Sequence, residues 1–330
     1  MTIHASVPRN EAQAAIEWLR ANKLIDDSFR IQNTGSKVLI PLKTPSLGKP
    51  PFEVEIEDMV GKKRENRNKP VSARASFDHL GSVAILKIRD ANRAMEVADS
   101  ILQTNTSIRS VYLDRGITGR ERVRNLTLLA GEENYLVTHR ENGLRFMFDI
   151  REVYFSPRLA TERLLLSKRC DENERILDMF SGIGPFAITI AKLAGSSVRC
   201  FDLNERCIYW LGKNASLNGV TEKISMEAGD SGTLIESEGK FDRIIMNLPH
   251  SAGEFLSSAM KHLKPGGVIN YYEISNSVEL EKRMEQIRDL GLVISRKRIV
   301  HGYAPGVYMH SLELALNHGI KPSIFNEDSN

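Results

Sequence analysis

The chain has 330 residues, of which 41% are hydrophobic and 26% are charged, and its formal net charge is only +3. This composition fits a globular protein of two or three domains and excludes a disordered chain, and the three cysteines lack the spacing of a disulfide framework or a metal site. No apolar run reaches the about 18 residues of a membrane span, and no secretion signal opens the sequence, which together predict a cytoplasmic protein without membrane contact.

The first part of the chain predicts a small N-terminal domain over residues 1–60. Residues 8–22 carry apolar side chains at helical spacing, and strand-like pieces follow at Phe29–Gln32 and Lys37–Pro41. Residues 61–72 are polar and basic, without apolar periodicity, and are predicted to form a linker.

Residues 73–155 mix strand and helix patterns and predict an α+β middle domain. Alternating or β-branched runs indicate the strands, and a run with an apolar helical stripe indicates the helix. The predicted strands are Ser82–Ile88, Ser110–Leu113, Arg124–Ala130, Asn134–Glu141 and Leu144–Asp149, and the helix is Asn92–Gln103.

Residues 156–318 begin with a helix and then alternate regularly between strand and helix. Repeated βα units predict an α/β fold with a doubly wound parallel sheet, and two consecutive strands at the end predict an antiparallel C-terminal addition. Residues 319–330 are predicted to be a tail. The predicted strands are Arg175–Phe180, Ser197–Leu203, Ile224–Ala228, Phe241–Met246, Val268–Ile274, Val293–Val300 and Tyr308–Leu316; the helices between them are Phe186–Leu193, Glu205–Asn218, Gly253–Leu263 and Val278–Leu290.

Basic residues are concentrated in three clusters although the net charge is small. Such clusters can follow a phosphate backbone, although each alone could equally be a solvated surface. The clusters are Lys62, Lys63, Arg64, Arg67, Lys69 and Arg74; Arg115, Arg120, Arg122 and Arg124; and Arg296, Lys297 and Arg298.

A glycine-rich turn follows the first strand of the alternating region, in the sequence Ile-Leu-Asp-Met-Phe-Ser-Gly-Ile-Gly-Pro-Phe. Gly182 and Gly184 would let the backbone approach a ligand at the carboxyl end of the strand. Ala187 at the third position also permits a dinucleotide fingerprint, so the glycines alone leave an NAD-dependent dehydrogenase open. Asp178 disfavours that alternative, because a carboxylate in the turn repels pyrophosphate and suits the cationic groups of S-adenosylmethionine.

Acidic residues end three successive predicted strands. Asp178 would face the cationic part of the cofactor, Asp202 its ribose hydroxyls and Asp230 its adenine amino group. Any one of them could be a helix N-cap, but all three beside this turn predict an S-adenosylmethionine site. The predicted cofactor-binding residues are Asp178, Phe180, Gly182, Gly184, Asp202, Leu203, Asp230 and Asn247.

The sequence Asn247-Leu248-Pro249-His250 follows the fourth strand, whose end borders the switch point of a doubly wound sheet. The Asn247 amide offers one acceptor and two donors, which can pair with the edge of an aromatic base. Pro249 stiffens the loop, and His250 could stack on a base or fill space. An ordinary βα loop is the alternative interpretation.

With these motifs the sequence resembles the archaeal and eukaryotic tRNA (guanine-37-N1)-methyltransferases over about residues 80–316. The turn after the first strand is common to many methyltransferases, whereas its combination with Ser-Pro-Arg-x-x-x-Glu-Arg is specific to this family and its wyosine-pathway relatives. The matching runs are Phe155–Arg163, Leu177–Pro185, Asn247–Pro249, Arg122–Arg124 and His139–Gly143.

The resemblance implies a class I methyltransferase with a Rossmann-like domain, which acts as a monomer on tRNA. It implies that the N-terminal domain contacts the outer corner of the tRNA and that the middle domain grips the anticodon stem-loop. The implied reaction is methyl transfer from S-adenosylmethionine to N1 of guanosine 37.

The resemblance also assigns roles at the reacting base. Glu162 matches the general base that takes the N1 proton, although local physics alone would make it a solvated helix acid. An arginine would stabilise negative charge on O6; Arg122 is the first choice by its spacing to Glu162 and Arg124 the second, and either could instead meet phosphate. Asn247 would orient the flipped base. The other predicted substrate-binding residues are Tyr154, Arg158, Pro249 and His250.

Other functions stay open on the sequence alone. A wyosine-pathway relative would methylate or aminocarboxypropylate the modified guanosine at the same position. A methyltransferase for a small molecule or protein is disfavoured by the middle domain and the arginine clusters. A non-catalytic tRNA-binding protein is disfavoured by Asp178, Glu162 and Asn247 together.

Overall fold

A computed structural model describes residues 2–59, 75–119 and 123–317. The predicted linker at 61–72, the first-choice arginine Arg122 and the predicted tail at 319–330 lie outside the described residues. The chain divides into two compact units, residues 1–73 and 74–330, which are considered separately below.

The first unit is a four-stranded antiparallel sheet with one helix, in the strand order β2-β3-β1-β4. Its buried side chains include Val7 of β1 and Leu19 of α1, which belong to one apolar core. The sequence had indicated α1 and β3, but it missed β1 and β4 and placed the second strand too early. The elements are β1 (Thr2–Pro8), α1 (Ala12–Ala21), β2 (Gln32–Asn33), β3 (Lys37–Pro41) and β4 (Glu55–Met59).

The second unit begins with a four-stranded sheet in the order β5-β6-β7-β8, in which β6 and β7 are parallel and are joined by α2. The Asp90 carboxylate caps α2 by accepting the backbone N–H of Arg93 at 2.8 Å. The sequence had missed β5 and shortened β7. The elements are β5 (Phe77–Leu80), β6 (Val83–Leu86), α2 (Ala91–Thr104), β7 (Ser110–Thr118) and β8 (Val123–Gly131).

A hairpin of β9 (Leu136–Glu141) and β10 (Leu144–Asp149) follows. Asn142 and Gly143 form its two-residue turn and have positive φ angles of 49° and 77°, which a turn matched to the twist of the strands requires. The Asn142 side chain donates to the carbonyl of Ala160 at 2.8 Å, so the turn is joined to the helix that follows.

The rest of the second unit is built on a seven-stranded sheet in the order β13-β12-β11-β14-β15-β17-β16. Strands β11 to β15 are parallel, and β17 lies antiparallel between β15 and β16. The elements are α3 (Ala160–Ser167), β11 (Arg175–Asp178), α4 (Pro185–Leu193), β12 (Ser197–Asp202), α5 (Glu205–Asn218), β13 (Ile224–Ala228), α6 (Ser231–Leu234), β14 (Phe241–Met246), α7 (Leu256–Lys261), β15 (Leu263–Ser275), α8 (Ser277–Asp289), β16 (Leu292–Ala304) and β17 (Val307–Leu316).

This sheet confirms the predicted doubly wound α/β fold with its antiparallel C-terminal strand. The chain leaves β11 toward β12 on one side and returns to β14 on the other, so a crevice opens at the carboxyl ends of β11 and β14. The hairpin of β9 and β10 packs on this half of the unit: Asn214 of α5 accepts the backbone N–H of Met147 at 2.7 Å. One apolar core therefore runs from the hairpin into the seven-stranded sheet.

Candidate active site

A cavity of about 460 Å³ lies at the carboxyl ends of the parallel strands. Its walls come from the glycine-rich turn, the loops after β12, β13 and β14, and the segment before α3, so residues distant in sequence meet there. Ten of the predicted site residues line it: Tyr154, Arg158, Phe180, Gly182, Asp202, Leu203, Asp230, Asn247, Pro249 and His250.

The turn after β11 leaves room for a ligand against its backbone. Gly182 has φ +55°, and a side chain there would meet no atom within 4 Å, so this residue faces open space at the cavity wall. Gly184 has φ +85°, and a Cβ there would come within 2.0 Å of the Leu211 side chain, so close packing excludes any larger residue. The Asp202 carboxylate fixes the turn by accepting the Gly182 N–H at 2.7 Å.

The Asp178 carboxyl group is buried at the end of β11 and is 1% exposed. Within the described part of the chain neither of its carboxylate oxygens has a hydrogen-bond partner. Burial, reinforced by the charge of Asp202, raises the pKa of Asp178 to about 7. A buried, unpaired carboxyl group gains most from a cationic ligand, which is the chemistry predicted for it. Asp178 does not itself appear among the described residues that line the cavity, and neither does Gly184.

The other two strand-end acids also serve the local backbone. Asp202 accepts the N–H of Asn204 at 3.0 Å with its second oxygen. Asp230 caps α6 by accepting the N–H of Gly232 at 3.0 Å. The N-cap interpretation of Asp230 therefore holds, and because both acids also line the cavity it does not exclude contact with a ligand.

An apolar wall stands between these acids. The rings of Phe180 and Phe255 meet edge to face with centroids 5.0 Å apart, and Leu203 is 37% exposed at the same cavity. A flat, apolar heteroaromatic ring such as adenine fits this environment. The sequence had not indicated Phe255, which follows the cavity loop without a motif of its own.

The loop after β14 places the predicted base-binding group in the cavity wall. The Asn247 side-chain carbonyl oxygen is buried and has no hydrogen-bond partner among the described residues. A buried acceptor without a partner is costly, and a ligand N–H could satisfy it. The Pro249 carbonyl accepts the Ile274 N–H at 3.3 Å, which anchors the loop to β15. His250 meets the ring of Tyr303 with centroids 6.2 Å apart.

A buried charge cluster supports the opposite wall. Asp78 accepts from Arg124 at 2.9 Å and from Arg158 at 2.9 Å. Burial alone would raise the pKa of Asp78, but the two guanidinium groups hold it below its usual value. Arg124 also donates to Asp114 at 3.0 Å, and its guanidinium lies 4.7 Å from the ring centre of Tyr154.

The two candidate arginines therefore differ in what the structure describes. The Arg124 side chain is 2% exposed and is engaged by two carboxylates, so it supports the wall and does not line the cavity among the described residues. Arg158 does line the cavity, and its side chain is 41% exposed. Arg122 lies outside the described residues.

The predicted general base, Glu162, is 3% exposed on α3. The Tyr272 hydroxyl donates to one of its carboxylate oxygens at 2.9 Å, and the Arg298 guanidinium forms an ion pair with the other. Its neighbour Arg163 lines the cavity, whereas Glu162 does not appear among the described lining residues. The sequence gave no signal for Tyr272 or Arg298 as its partners, because both lie on distant strands.

The lining also contains residues that sequence reasoning had not selected. They come from β5, α3, the loop before α7 and the β16–β17 hairpin, and only the aromatic and basic character of the hairpin could have indicated them. They include Asp78, Arg163, Ser231, Glu254, Phe255, His301, Tyr303 and Met309.

Comparison with known proteins identifies the family. Residues 137–295 match the TRM5/TYW2 methyltransferase domain, residues 58–134 the TYW2 N-terminal domain, and residues 6–49 the tRNA methyltransferase 5 N-terminal domain. The chain is 36% identical to tRNA (guanine(37)-N(1))-methyltransferase Trm5b of Pyrococcus abyssi, over 96% of this chain and 100% of that protein. This chain belongs to the TRM5/TYW2 methyltransferase family.

Two further relatives bear on the activity of this TRM5/TYW2 member. The chain is similar to the protein in a solved complex of aTrm5 and tRNALeu, with a TM-score of 0.75 and 29% identity over 96% of this chain and 100% of that one. It is also 32% identical to tRNA 4-demethylwyosine(37)-methyltransferase Taw21 of Saccharolobus solfataricus, over 63% of this chain and 80% of that protein. The predicted class I methyltransferase fold and the assignment to an enzyme family are confirmed.

Two properties of this family member concern metals and membranes. In residues 2–59, 75–119 and 123–317, no group of three or more His, Cys, Asp and Glu side chains could hold a metal ion. None of the helices in the same ranges combines the length and apolar character needed to cross a membrane.

Proposed function

We propose that this chain transfers the methyl group of S-adenosylmethionine to N1 of guanosine 37 in tRNA. The observation that carries the proposal is its similarity to Trm5b over nearly the full length of both chains. The cavity supports it, because a cradle for a cationic nucleoside and an unsatisfied acceptor for a base lie at neighbouring strand ends.

The turn after β11 would hold the cofactor. Asp178 would pair with a cationic group of S-adenosylmethionine, Asp202 with its ribose, and the wall of Phe180 and Leu203 with its adenine, near Asp230. The cofactor supplies a methyl group on a positively charged sulfur, an electrophile that needs no metal. The enzyme therefore has to align the two reactants and exclude water.

The loop after β14 would receive the flipped guanine. The Asn247 carbonyl oxygen lacks a described partner, and the guanine edge offers N–H donors that could satisfy it. Tyr154, held against the Arg124 guanidinium, and His250, beside Tyr303, provide flat surfaces at two walls of the same cavity. Arg158 is placed in the lining to meet a phosphate or the base.

Proton removal from N1 is assigned to Glu162, and charge stabilisation at O6 to Arg122. N1 attacks the methyl carbon with its electron pair, the bond from that carbon to sulfur breaks, and the N1 proton passes to the Glu162 carboxylate. The buried position of Glu162 requires its side chain to turn toward the cavity. Arg124 is less suited to the O6 role, because two carboxylates already engage it.

The remaining parts of the chain would bind the tRNA body. We assign residues 1–60 to the outer corner, residues 73–155 to the anticodon stem-loop and the basic clusters to phosphates, with residues 156–318 carrying the chemistry. A monomer acting in the cytoplasm, without membrane contact, fits this assignment.

The test is methyl transfer to unmodified tRNA transcripts. Purified protein is incubated with methyl-labelled S-adenosylmethionine and a transcript carrying guanosine 37, and the nucleosides are identified by mass spectrometry. We expect 1-methylguanosine at position 37, no product when adenosine replaces this guanosine, and a strongly reduced rate for Glu162→Gln. Glu172→Gln, an exposed glutamate on the loop after α3, is the matched control and should retain the rate.

Methylation at another nucleoside would overturn the proposed target but keep the fold and cofactor. tRNA binding without methyl transfer would favour a non-catalytic binding protein.

A second candidate is methylation of a wyosine precursor at the same position, which the similarity to Taw21 favours. Transcripts carrying guanosine 37 and tRNA carrying 4-demethylwyosine 37 separate the two activities. Product from the modified tRNA alone would replace the first candidate with the second, and product from both would assign both activities to this chain.

A further inference from the structure

Three strands of the seven-stranded sheet carry rows of side chains on the face that α3 and α4 cover. In the first row, Ile274 of β15 pairs with Met309 of β17, which pairs with His301 of β16. All three residues line the cavity. This row is therefore part of the cavity wall.

The next row of the same face lies one step deeper. Tyr272 pairs with Ser311, and Ser311 pairs with Arg298. Residues two apart on a strand share a face and lie about 7 Å apart, so this second row runs about 7 Å below the cavity row. Strands lie about 4.8 Å apart, which places Tyr272 and Arg298 about 10 Å apart across the strand of Ser311.

Glu162 spans this second row. One of its oxygens accepts the Tyr272 hydroxyl at 2.9 Å, and the other is paired with Arg298. The pairing register of the strands thus places a hydroxyl donor and a cation on opposite sides of one buried carboxylate. Burial raises the pKa of Tyr272 above its usual range, so Tyr272 stays a hydroxyl donor at neutral pH.

The charge of Arg298 decides the protonation state of that carboxylate. A carboxylate that is 3% exposed would take up a proton without a cation beside it, because burial disfavours its charged form. Arg298 remains charged near neutrality and keeps a side-chain exposure of 30%, so it faces both the carboxylate and solvent.

We propose that Arg298 is the positioning residue that holds Glu162 ionised one row below the cavity, as the base ready to accept the N1 proton. This inference rests on the proposed function, in which Glu162 is the general base. A base must reach the reacting proton in its unprotonated form, and a buried glutamate without a cation would arrive already protonated.

Other charged groups face the same row and are common to every variant compared below. Glu313 lies on the row below and is paired with Arg169 at 2.6 Å, and both contribute to the charge around Tyr272 and Arg298. Asp178 contributes to the field at Tyr272. Saturating cofactor keeps Asp178 in one state, so its titration does not enter the measured rate.

The experiment measures the single-turnover rate of N1 methylation against pH, with tRNA prebound and cofactor saturating. For Arg298→Ala we expect the acid limb to move up by about one pH unit or more, with at least a tenfold lower rate at pH 6.5 that recovers at alkaline pH. Arg298→Lys should restore most of the wild-type profile. Lys297→Ala, which removes a cation from the other face of β16, should leave the profile unchanged.

Three results would overturn the inference. They are an unchanged profile for Arg298→Ala, an equal loss at every pH, and a faster reaction at low pH. The Arg298→Lys variant covers the case in which Arg298→Ala does not fold, because it keeps the charge: a Lys variant that loses the rate equally at every pH also overturns the inference.

The failure of the proposed function is recognised separately. If the wild type methylates guanosine 37 and Glu162→Gln retains the wild-type rate, Glu162 is not the base, and the inference falls with that assignment. If Glu162→Gln is inactive and only the Arg298 variants fail to shift the limb, the base assignment stands and the role of Arg298 alone is lost.

Discussion

The Arg163 guanidinium donates to both carboxylate oxygens of Glu141, at 2.6 Å each. Arg163 is 1% exposed on α3, and Glu141 ends the first strand of the hairpin. Burial alone would raise the pKa of Glu141, but hydrogen bonds from His139 and Arg163 hold it below its usual value. The pair joins the hairpin to α3 next to Glu162, so it fixes the helix that carries the proposed base.

Removing Arg163 should therefore destabilise the fold. Arg163→Met leaves the Glu141 carboxylate buried without its partner, for which we expect a loss of about 3–5 kcal/mol in the free energy of unfolding. Chemical denaturation at neutral pH measures it. Arg145→Met, an exposed arginine of the same hairpin, is the control and should change stability little.

The double variant Arg163→Met with Glu141→Gln gives the sharper comparison. It removes both charges, so it should be more stable than Arg163→Met alone. Equal stability of the single and double variants would show that packing, and not the buried charge, dominates at this site.

Cofactor binding should depend on pH through Asp178. Its pKa, raised by burial to about 7, makes the carboxyl group neutral below that pH and ionised above it. A cationic ligand binds the ionised form, so affinity should rise with pH up to about 7 and then level off. Below that point we expect a fall of up to about tenfold per pH unit, since one unit corresponds to about 1.4 kcal/mol.

Calorimetric titration with S-adenosylmethionine between pH 5 and 7.5 measures this dependence. Asp178→Asn should bind weakly and with little change over the range, whereas Asp171→Asn, an exposed acid before β11, should behave as the wild type. An Asp178→Asn variant that keeps the wild-type slope would assign the titration to another group.

The local elements of the site could be predicted from the sequence, because each depends on a few neighbouring residues. The glycine-rich turn and the exact bounds of α5, β13 and β14 follow from apolar runs bounded by turn residues. Strand β4 was missed because its sequence Glu-Ile-Glu-Asp-Met is mainly acidic, and only pairing with β1 makes it a strand.

The partners of the candidate base could not be predicted. Glu162 meets Tyr272 and Arg298 only because α3 packs over a sheet in which β17 separates their two strands. No local pattern encodes a contact between residues more than 100 positions apart. For the same reason the sequence left Arg122 and Arg124 as alternatives, since the burial of Arg124 depends on Asp78 and Asp114 from other strands.

Arg122 and Arg124 should therefore fail in different ways. Arg124→Met leaves Asp78 and Asp114 buried beside a lost cation, so we expect a lower midpoint of thermal unfolding and a loss of activity that follows unfolding. Arg122→Met should lower the single-turnover rate by about 10²–10³-fold at an unchanged midpoint, as for loss of a group that stabilises developing charge.

Thermal denaturation and rates measured well below the midpoint separate the two effects. Arg115→Met, an exposed arginine of the same cluster, serves as the control. A stable Arg124→Met variant with a severely reduced rate would exchange the assignments of the two arginines.

Tyr303 should contribute to binding of the tRNA. It is 50% exposed, lines the cavity and meets His250, so it offers a flat surface where the flipped base or its neighbour enters. Stacking of a base on an aromatic side chain contributes about 1–3 kcal/mol, so Tyr303→Ala should raise KM for tRNA by about 5- to 150-fold. Cofactor affinity should not change. Tyr308→Ala removes a ring of similar exposure from the same hairpin that is not among the described lining residues, and it should leave KM near the wild-type value. Equal effects of the two variants would mean that the hairpin acts as a general aromatic surface, and a Tyr303→Ala variant with wild-type KM would remove this residue from the entry of the base.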